Sequence, residues 1–274
     1  MGRIGRGFKL LGASWEVLKA DRELLLLPLV SMLASLAVLA TFLGGLFAAG
    51  VRDRQNMGPV HYVLVFIMYV ALYFIAIFFN AAIVAAATIR LEGGNPTLKD
   101  GLSKAAANIG KIFGWALVAA SVGLVLRTIQ ERSGILGRIV VALVGAAWSA
   151  ITFFVVPILI FEPLGVGGSI KKSAAIFKER WGEQFVGNGS LGIALFLLMI
   201  PVVLVSLLLA AVTPWLGIAF GAIGFMLLIT AGGAMSGIFN AALYRYATTG
   251  EALGGFSDED LSSAFRPKKR RGAR

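Results

Sequence analysis

Three side chains stand out because they are strongly polar beside or within long apolar runs: Asn80, Asn240 and Glu162. The two asparagines occur in nearly the same text, Phe79-Asn80-Ala81-Ala82-Ile83 and Phe239-Asn240-Ala241-Ala242-Leu243. A pair of amides in apolar helices can line a path for a polar species or hold a polar headgroup. The plainer role is glue between helices, where such hydrogen bonds average about 0.6 kcal/mol, and that reading is preferred. Glu162 stands between Phe161 and Pro163. A charge at the bilayer centre costs about 2.5–3.5 kcal/mol, so a carboxylate there would mark an ion or proton path. Glu162 instead closes an apolar run, which puts it at the membrane interface within reach of Lys171, Lys172 or Arg90. The expected role is structural.

Other chemistry is thinly represented. Gly187 to Gly192 spells G-x-G-x-x-G, but a dinucleotide fingerprint needs a strand before it and a βαβ setting. Here a basic amphipathic segment precedes it and an apolar run follows. The sequence has one His, His61, and no Cys. A Ser–His nucleophile or a His-rich metal site within the membrane is therefore excluded. No apolar run carries two acids, which also excludes a paired-aspartate intramembrane protease. The expectation is a non-enzyme with no cofactor and no metal.

The elements that position these residues follow from composition. The chain is 58% hydrophobic and 14% charged, with a mean hydropathy of +0.86; a soluble domain carries roughly 25% charged residues. Its apolar runs reach the ~20 residues that cross a bilayer core. Six spans are expected, at about 24–49, 60–88, 112–126, 139–161, a fifth ending near 212, and 216–243. The third is short, extended by snorkelling Lys111 and Arg127. The fold class is an all-α membrane protein.

The spans are linked by a recurring joint, a Glu, a glycine-rich turn and a helix-starting Ser or Thr: Glu92 to Thr97, Glu162 to Ser169, and Glu251 to Ser257. After the first two comes an amphipathic helix. One has Leu98, Leu102, Ala105 and Ile109 on its apolar face, the other Ile170, Ala174, Phe177 and Trp181. A similar helix opens the chain, with Phe8, Leu11, Trp15 and Leu18 as its apolar face. The joints and the Phe-Asn-Ala-Ala text predict three pseudo-repeated units, each an interfacial amphipathic helix followed by a helical hairpin. They cover about 8–92, 97–162 and 169–251 within a single six-span domain, 1–250. Residues 251–274 add a short amphipathic helix and a basic tail. Each unit starts and ends on one side, so the repeats are parallel.

Twenty of the 25 Lys and Arg residues fall in the N-terminus, the 2–3 and 4–5 links and the C-terminus. By the positive-inside rule both termini are cytoplasmic. This also accounts for the net charge of +11 without nucleic acid. Lys171, Lys172, Lys178 and Arg180 are the candidate contacts to anionic lipid headgroups, worth about 1 kcal/mol each.

Ser14–Val30, SWEVLKADRELLLLPLV, and Ile160–Glu183, IFEPLGVGGSIKKSAAIFKERWGE, resemble an uncharacterised bacterial family of six-helix integral membrane proteins. That family is similar to the membrane domain fused to some glycerophosphodiester phosphodiesterases. The resemblance implies the fold and a bacterial plasma-membrane location, and transfers no catalytic residue. Together these features lead to a scaffold or assembly protein that binds membrane lipid or a membrane protein partner. The alternative is a transporter or channel for a lipid or amphiphile, with Asn80 and Asn240 beside its path.

Overall fold

The computed structural model describes residues 3–50, 58–181 and 190–262. Among these the chain is all-helical. Six stretches are long and apolar enough to cross a membrane: Arg22–Ala48, Pro59–Leu91, Ile109–Arg132, Ile135–Phe161, Leu195–Val212 and Pro214–Thr249.

Helix α1 (Arg3–Ala20) is followed by a 3-10 turn (Arg22–Leu25) and α2 (Leu26–Ala48). The buried face of α1 is not the one its pattern suggests. Leu10, Leu11, Ser14, Val17 and Leu18 are buried, whereas Phe8 and Trp15 stay 42% and 43% exposed. The helix has apolar residues on two flanks, and contact with later helices claims the flank carrying Leu10 and Val17. The aromatic flank faces outward, where an interfacial helix meets lipid.

Helix α3 (Pro59–Leu91) begins at a proline, whose missing N–H is no loss in a first turn. Its last third is enclosed: Ala81 through Thr88 are all buried. Small residues let neighbours approach closely. A Cβ added at Gly101, on α4 (Leu98–Ala106), would lie 2.5 Å from the Ala82 carbonyl oxygen. Helix α4 starts at the expected capping box. The Thr97 N–H donates to Asp100 Oδ2 at 2.8 Å, and the Asp100 N–H donates to Thr97 Oγ1 at 3.3 Å.

Helix α5 (Ile109–Arg132) has 24 residues, so the third span is not short. The charges taken as its ends lie inside the helix, Arg127 donating to Glu131 at 3.0 Å one turn on. Ile109, assigned by pattern to the preceding amphipathic face, opens α5 and is exposed.

The fourth span is broken. Helix α6 (Ile135–Ile151) ends at Thr152, and α7 (Val155–Phe161) resumes after a turn. Pro157 cannot donate to the carbonyl four residues back, so the Phe153 oxygen is left without its helical partner. Helix α8 (Val166–Trp181) begins before Ser169, whose hydroxyl donates back to the Gly165 carbonyl at 3.0 Å rather than capping the helix. Its buried stripe is Ser169, Ser173 and Phe177. Trp181, expected on that face, lies outside the described side chains.

Helices α9 (Ser190–Val212) and α10 (Pro214–Thr249) are joined by Thr213 alone. A Cβ at Gly217 would sit 2.4 Å from Ala210 Cβ, and one at Gly224 would sit 2.6 Å from Val202, both on α9. Further along, Gly233 meets Pro28 of α2, and a Cβ at Gly237 would lie 2.5 Å from Ile83 of α3. Helix α10 is thus packed on two sides. It ends at Gly250, in the left-handed region at φ 81°. A turn then seats Gly254 against Leu91 and Val17, ahead of α11 (Asp258–Ser262).

Packing is concentrated at one end of the bundle, where Leu18, Leu24, Ala82, Ile112, Phe154, Ile238 and Leu243 are almost wholly enclosed. This packed end also carries α1, α4, α8 and α11. Toward the opposite, open end Leu43, Phe47, Val60, Leu136, Leu207 and Trp215 are exposed, as side chains turned toward lipid tails should be.

Candidate functional site

The polar residues of the packed end form ties between helices, and most converge on the last turns of α10. Asn240 and Tyr244, four residues apart, share one flank, and Arg245 lies about 100° round the helix from Tyr244. The Asn240 Nδ2 donates to the Phe153 carbonyl at 3.1 Å. This is the oxygen released by Pro157, and the amide supplies the proton that the proline lacks. The neighbouring Phe154 N–H, freed by the same break, donates to Ser173 Oγ of α8 at 3.0 Å.

Glu162 sits about two helical turns beyond the break, at the end of α7, and holds two elements. Its Oε2 accepts from Lys172 Nζ at 2.6 Å, and its Oε1 accepts from the Tyr244 hydroxyl at 2.8 Å. The carboxylate side chain is 16% exposed and that of Lys172 44%. Tyr244 is fixed in turn by stacking on Phe161, ring centres 6.2 Å apart. The last carbonyls of α7 have no helical donors, and Lys111 Nζ of α5 covers two of them, Leu159 at 3.2 Å and Glu162 at 3.1 Å.

A second set of ties closes the first joint. Arg245 Nη2 pairs with Glu92 at 2.7 Å. Arg90 pairs through two nitrogens with Asp21 and donates to Asn95 Oδ1 at 2.7 Å. Glu92 and Glu162 are therefore both spent on α10, through adjacent residues. Glu251 makes no ion pair among the described residues.

Of the cations considered for Glu162, Lys172 is the partner, Arg90 is committed to Asp21, and Lys171 is exposed. Lys178 is exposed as well, while Arg180 lies outside the described side chains. Tyr244, Asp21 and Ser173 escaped sequence reasoning, and Lys111 was read only as the snorkelling end of a span. For Ser173 the available signal was Pro157, which marks a helix break and so a freed backbone N–H that some acceptor must meet.

Asn80 and Asn240 have different surroundings. Asn240 is used at the α6–α7 break. Asn80 instead lines a cleft of 340 Å³ between α2, α3 and α10, together with Ser31, Ser35, Met32, Phe79 and Ile229. A smaller cleft of 280 Å³ lies at the open end, lined by Thr41, Phe42 and His61 among others. His61 there accepts from the Gly58 N–H through Nδ1 at 3.0 Å, fixing the start of α3.

Residues 59–255 match a family of unknown function, DUF6159. The chain belongs to this family. The stretch matched to DUF6159 contains Asn80, Asn240, all three joint glutamates and every partner of Glu162, whereas Asp21 and the α2 wall of the larger cleft precede it. No curated protein and no solved structure matches the chain.

Proposed function

We propose that this DUF6159 protein is a non-enzymatic scaffold of the bacterial plasma membrane, both termini cytoplasmic, whose packed end forms a collar that engages anionic lipid headgroups and through them an assembly partner. One observation carries the reading. The carboxylates Asp21, Glu92 and Glu162 are consumed internally by Arg90, Arg245 and Lys172. Lys171 and Lys178 remain exposed on α8 without an ion pair among the described residues. These three acids are neutralised within the collar, while two lysines of α8 face outward, as suits a surface that meets anionic headgroups.

The same reading treats the chain as three parallel units. It is supported by a head-to-tail pattern: Asn240 of the third unit reaches Phe153 of the second, and Asn80 of the first lies against Gly237 of the third.

Native mass spectrometry from nanodiscs of mixed phosphatidylglycerol and phosphatidylcholine tests the collar. The wild-type protein should retain phosphatidylglycerol preferentially. Lys171→Glu with Lys178→Glu should cut that preference about tenfold or more, from about 1 kcal/mol per basic residue. Equal retention of both lipids by the wild type would refute the reading. A reporter placed in the 52–57 link should be extracytoplasmic; a cytoplasmic signal would invert the collar.

A further inference from the structure

The cleft beside Asn80 has a feature that packing does not explain. Ser31 and Ser35 lie one turn apart on the same face of α2 and, with Asn80 of α3, line the same cleft. None of the three makes a hydrogen bond among the described residues, although all are half-buried. Elsewhere in the spans the usual outcome for a hydroxyl is a bond to its own helix. Thr41, Thr88, Ser121, Ser149 and Ser206 each donate to the carbonyl four residues earlier. The two serines at the cleft forgo that bond.

Depth makes this costly. Ser31 and Ser35 lie 9 and 13 residues from the start of their span at Arg22, and Asn80 lies 11 from the end of its span at Leu91. At 1.5 Å per residue these are about 13–20 Å from the packed end, near the middle of a ~30 Å hydrocarbon core. No bulk water is available there, and an unmet polar group is expensive. Three such groups around one opening call for an occupant that can both donate and accept. The cleft wall contains no charged side chain and is otherwise apolar, with Met32, Phe79 and Ile229 prominent. An ionic headgroup would find no counter-charge in it. At 340 Å³ the space is at the small end of ligand pockets, which run ~300–1,000 Å³. That suffices for an uncharged head and the first part of a chain, the remainder lying between the helices and the lipid.

We propose that this cleft binds a neutral amphiphile, a lipid whose uncharged hydroxyl or ester group is held by Asn80, Ser31 and Ser35 while its chain leaves into the bilayer. This site is separate from the cationic collar and does not depend on it.

The experiment uses the full chain in proteoliposomes with two photoactivatable probes, a diazirine-tagged diacylglycerol and a diazirine-tagged phosphatidylglycerol. Diacylglycerol should label peptides of α2 and α3 at the cleft, and phosphatidylglycerol should label them no more than other lipid-facing peptides. Ser31→Ala with Ser35→Ala, and separately Asn80→Leu, should lower diacylglycerol labelling at least fivefold. Their elution on size exclusion should match the wild type. If Asn80→Leu does not fold, the double serine variant decides alone. Undiminished labelling in that variant, or equal cleft labelling by phosphatidylglycerol, would overturn the proposal. The variants Lys171→Glu and Lys178→Glu should leave diacylglycerol labelling unchanged, which separates this site from the collar.

Discussion

Asn80 and Asn240 have the same neighbours in sequence and opposite situations in space. Both follow a Phe and precede two alanines. Asn240 faces a helix interrupted by Pro157 and finds there the carbonyl of Phe153, to which the proline cannot donate. Asn80 faces α10, which runs unbroken from Pro214 to Thr249. In such a helix the interior carbonyls are already engaged by N–H groups one turn on, so nothing on the neighbour is free to accept. The amide is left at the cleft. A polar group's role in a membrane bundle is thus decided by vacancies in the backbone opposite as much as by its own surroundings.

This contrast can be broken experimentally, and the largest effect should come from the element that fixes the break in place. Glu162→Gln removes the carboxylate from Lys172 and Tyr244 and leaves the lysine without its counter-charge. It should cost about 2 kcal/mol, from a half-exposed ion pair and the charged hydrogen bond to Tyr244, read as a lower midpoint of unfolding in mixed micelles. Next is Asn240→Ala, which orphans the Phe153 carbonyl. The loss should be about 1–2 kcal/mol, above the ~0.6 kcal/mol average for interhelical bonds because Pro157 cannot donate to that oxygen. An unchanged midpoint would mean that the bond is idle.

Sharper still is the cycle with Pro157→Ala. An alanine there returns an N–H for the Phe153 oxygen, so Asn240→Ala should cost about 1 kcal/mol less in that background. Strict additivity would sink the substitution account. Asn80→Ala completes the comparison and should shift stability by no more than ~0.5 kcal/mol, since it removes no bond within the protein.

The smallest effect concerns α4. The Thr97 backbone N–H, and then its hydroxyl, hold the Asp100 carboxyl below its ordinary value. A carboxyl lowered in the folded state contributes stability that is full above its unfolded pKa and is lost as pH falls through the folded one. Acidification through that range should loosen α4, seen as faster amide exchange at Leu98–Ala106. Asp100→Asn should abolish this pH dependence while leaving the Asn80 and Asn240 results intact.

Six spans could be read from the sequence because each is a long run dominated by hydropathy. The α4 cap was equally legible, since its two bonds are local and a Thr with an Asp three residues on implies both. Legibility failed where distant partners decide. Nothing near Glu162 in sequence announces Tyr244, 82 positions away. Charge made the third span look short, because Lys111 and Arg127 were taken as boundaries, whereas a helix continues through charges that find partners. The α1 face was misread for a related reason. Two apolar flanks were present, and only the neighbouring helices could select between them. Pro157 was visible throughout, but its meaning depended on the geometry of a helix belonging to another hairpin.

The length of α10 has a consequence for the membrane itself. Its 36 residues reach about 54 Å, and the 33 of α3 about 50 Å, against a hydrocarbon core of ~30 Å. The surplus must project or tilt, and the ties at Tyr244 and Arg245 hold the final turns of α10 at the packed end. A thicker bilayer would immerse Glu92 and Glu162, where charge is most expensive; a thinner one would uncover the apolar rim below them. Fatty-acyl length therefore sets how much of each long helix the bilayer covers, with the ring of ties at one limit.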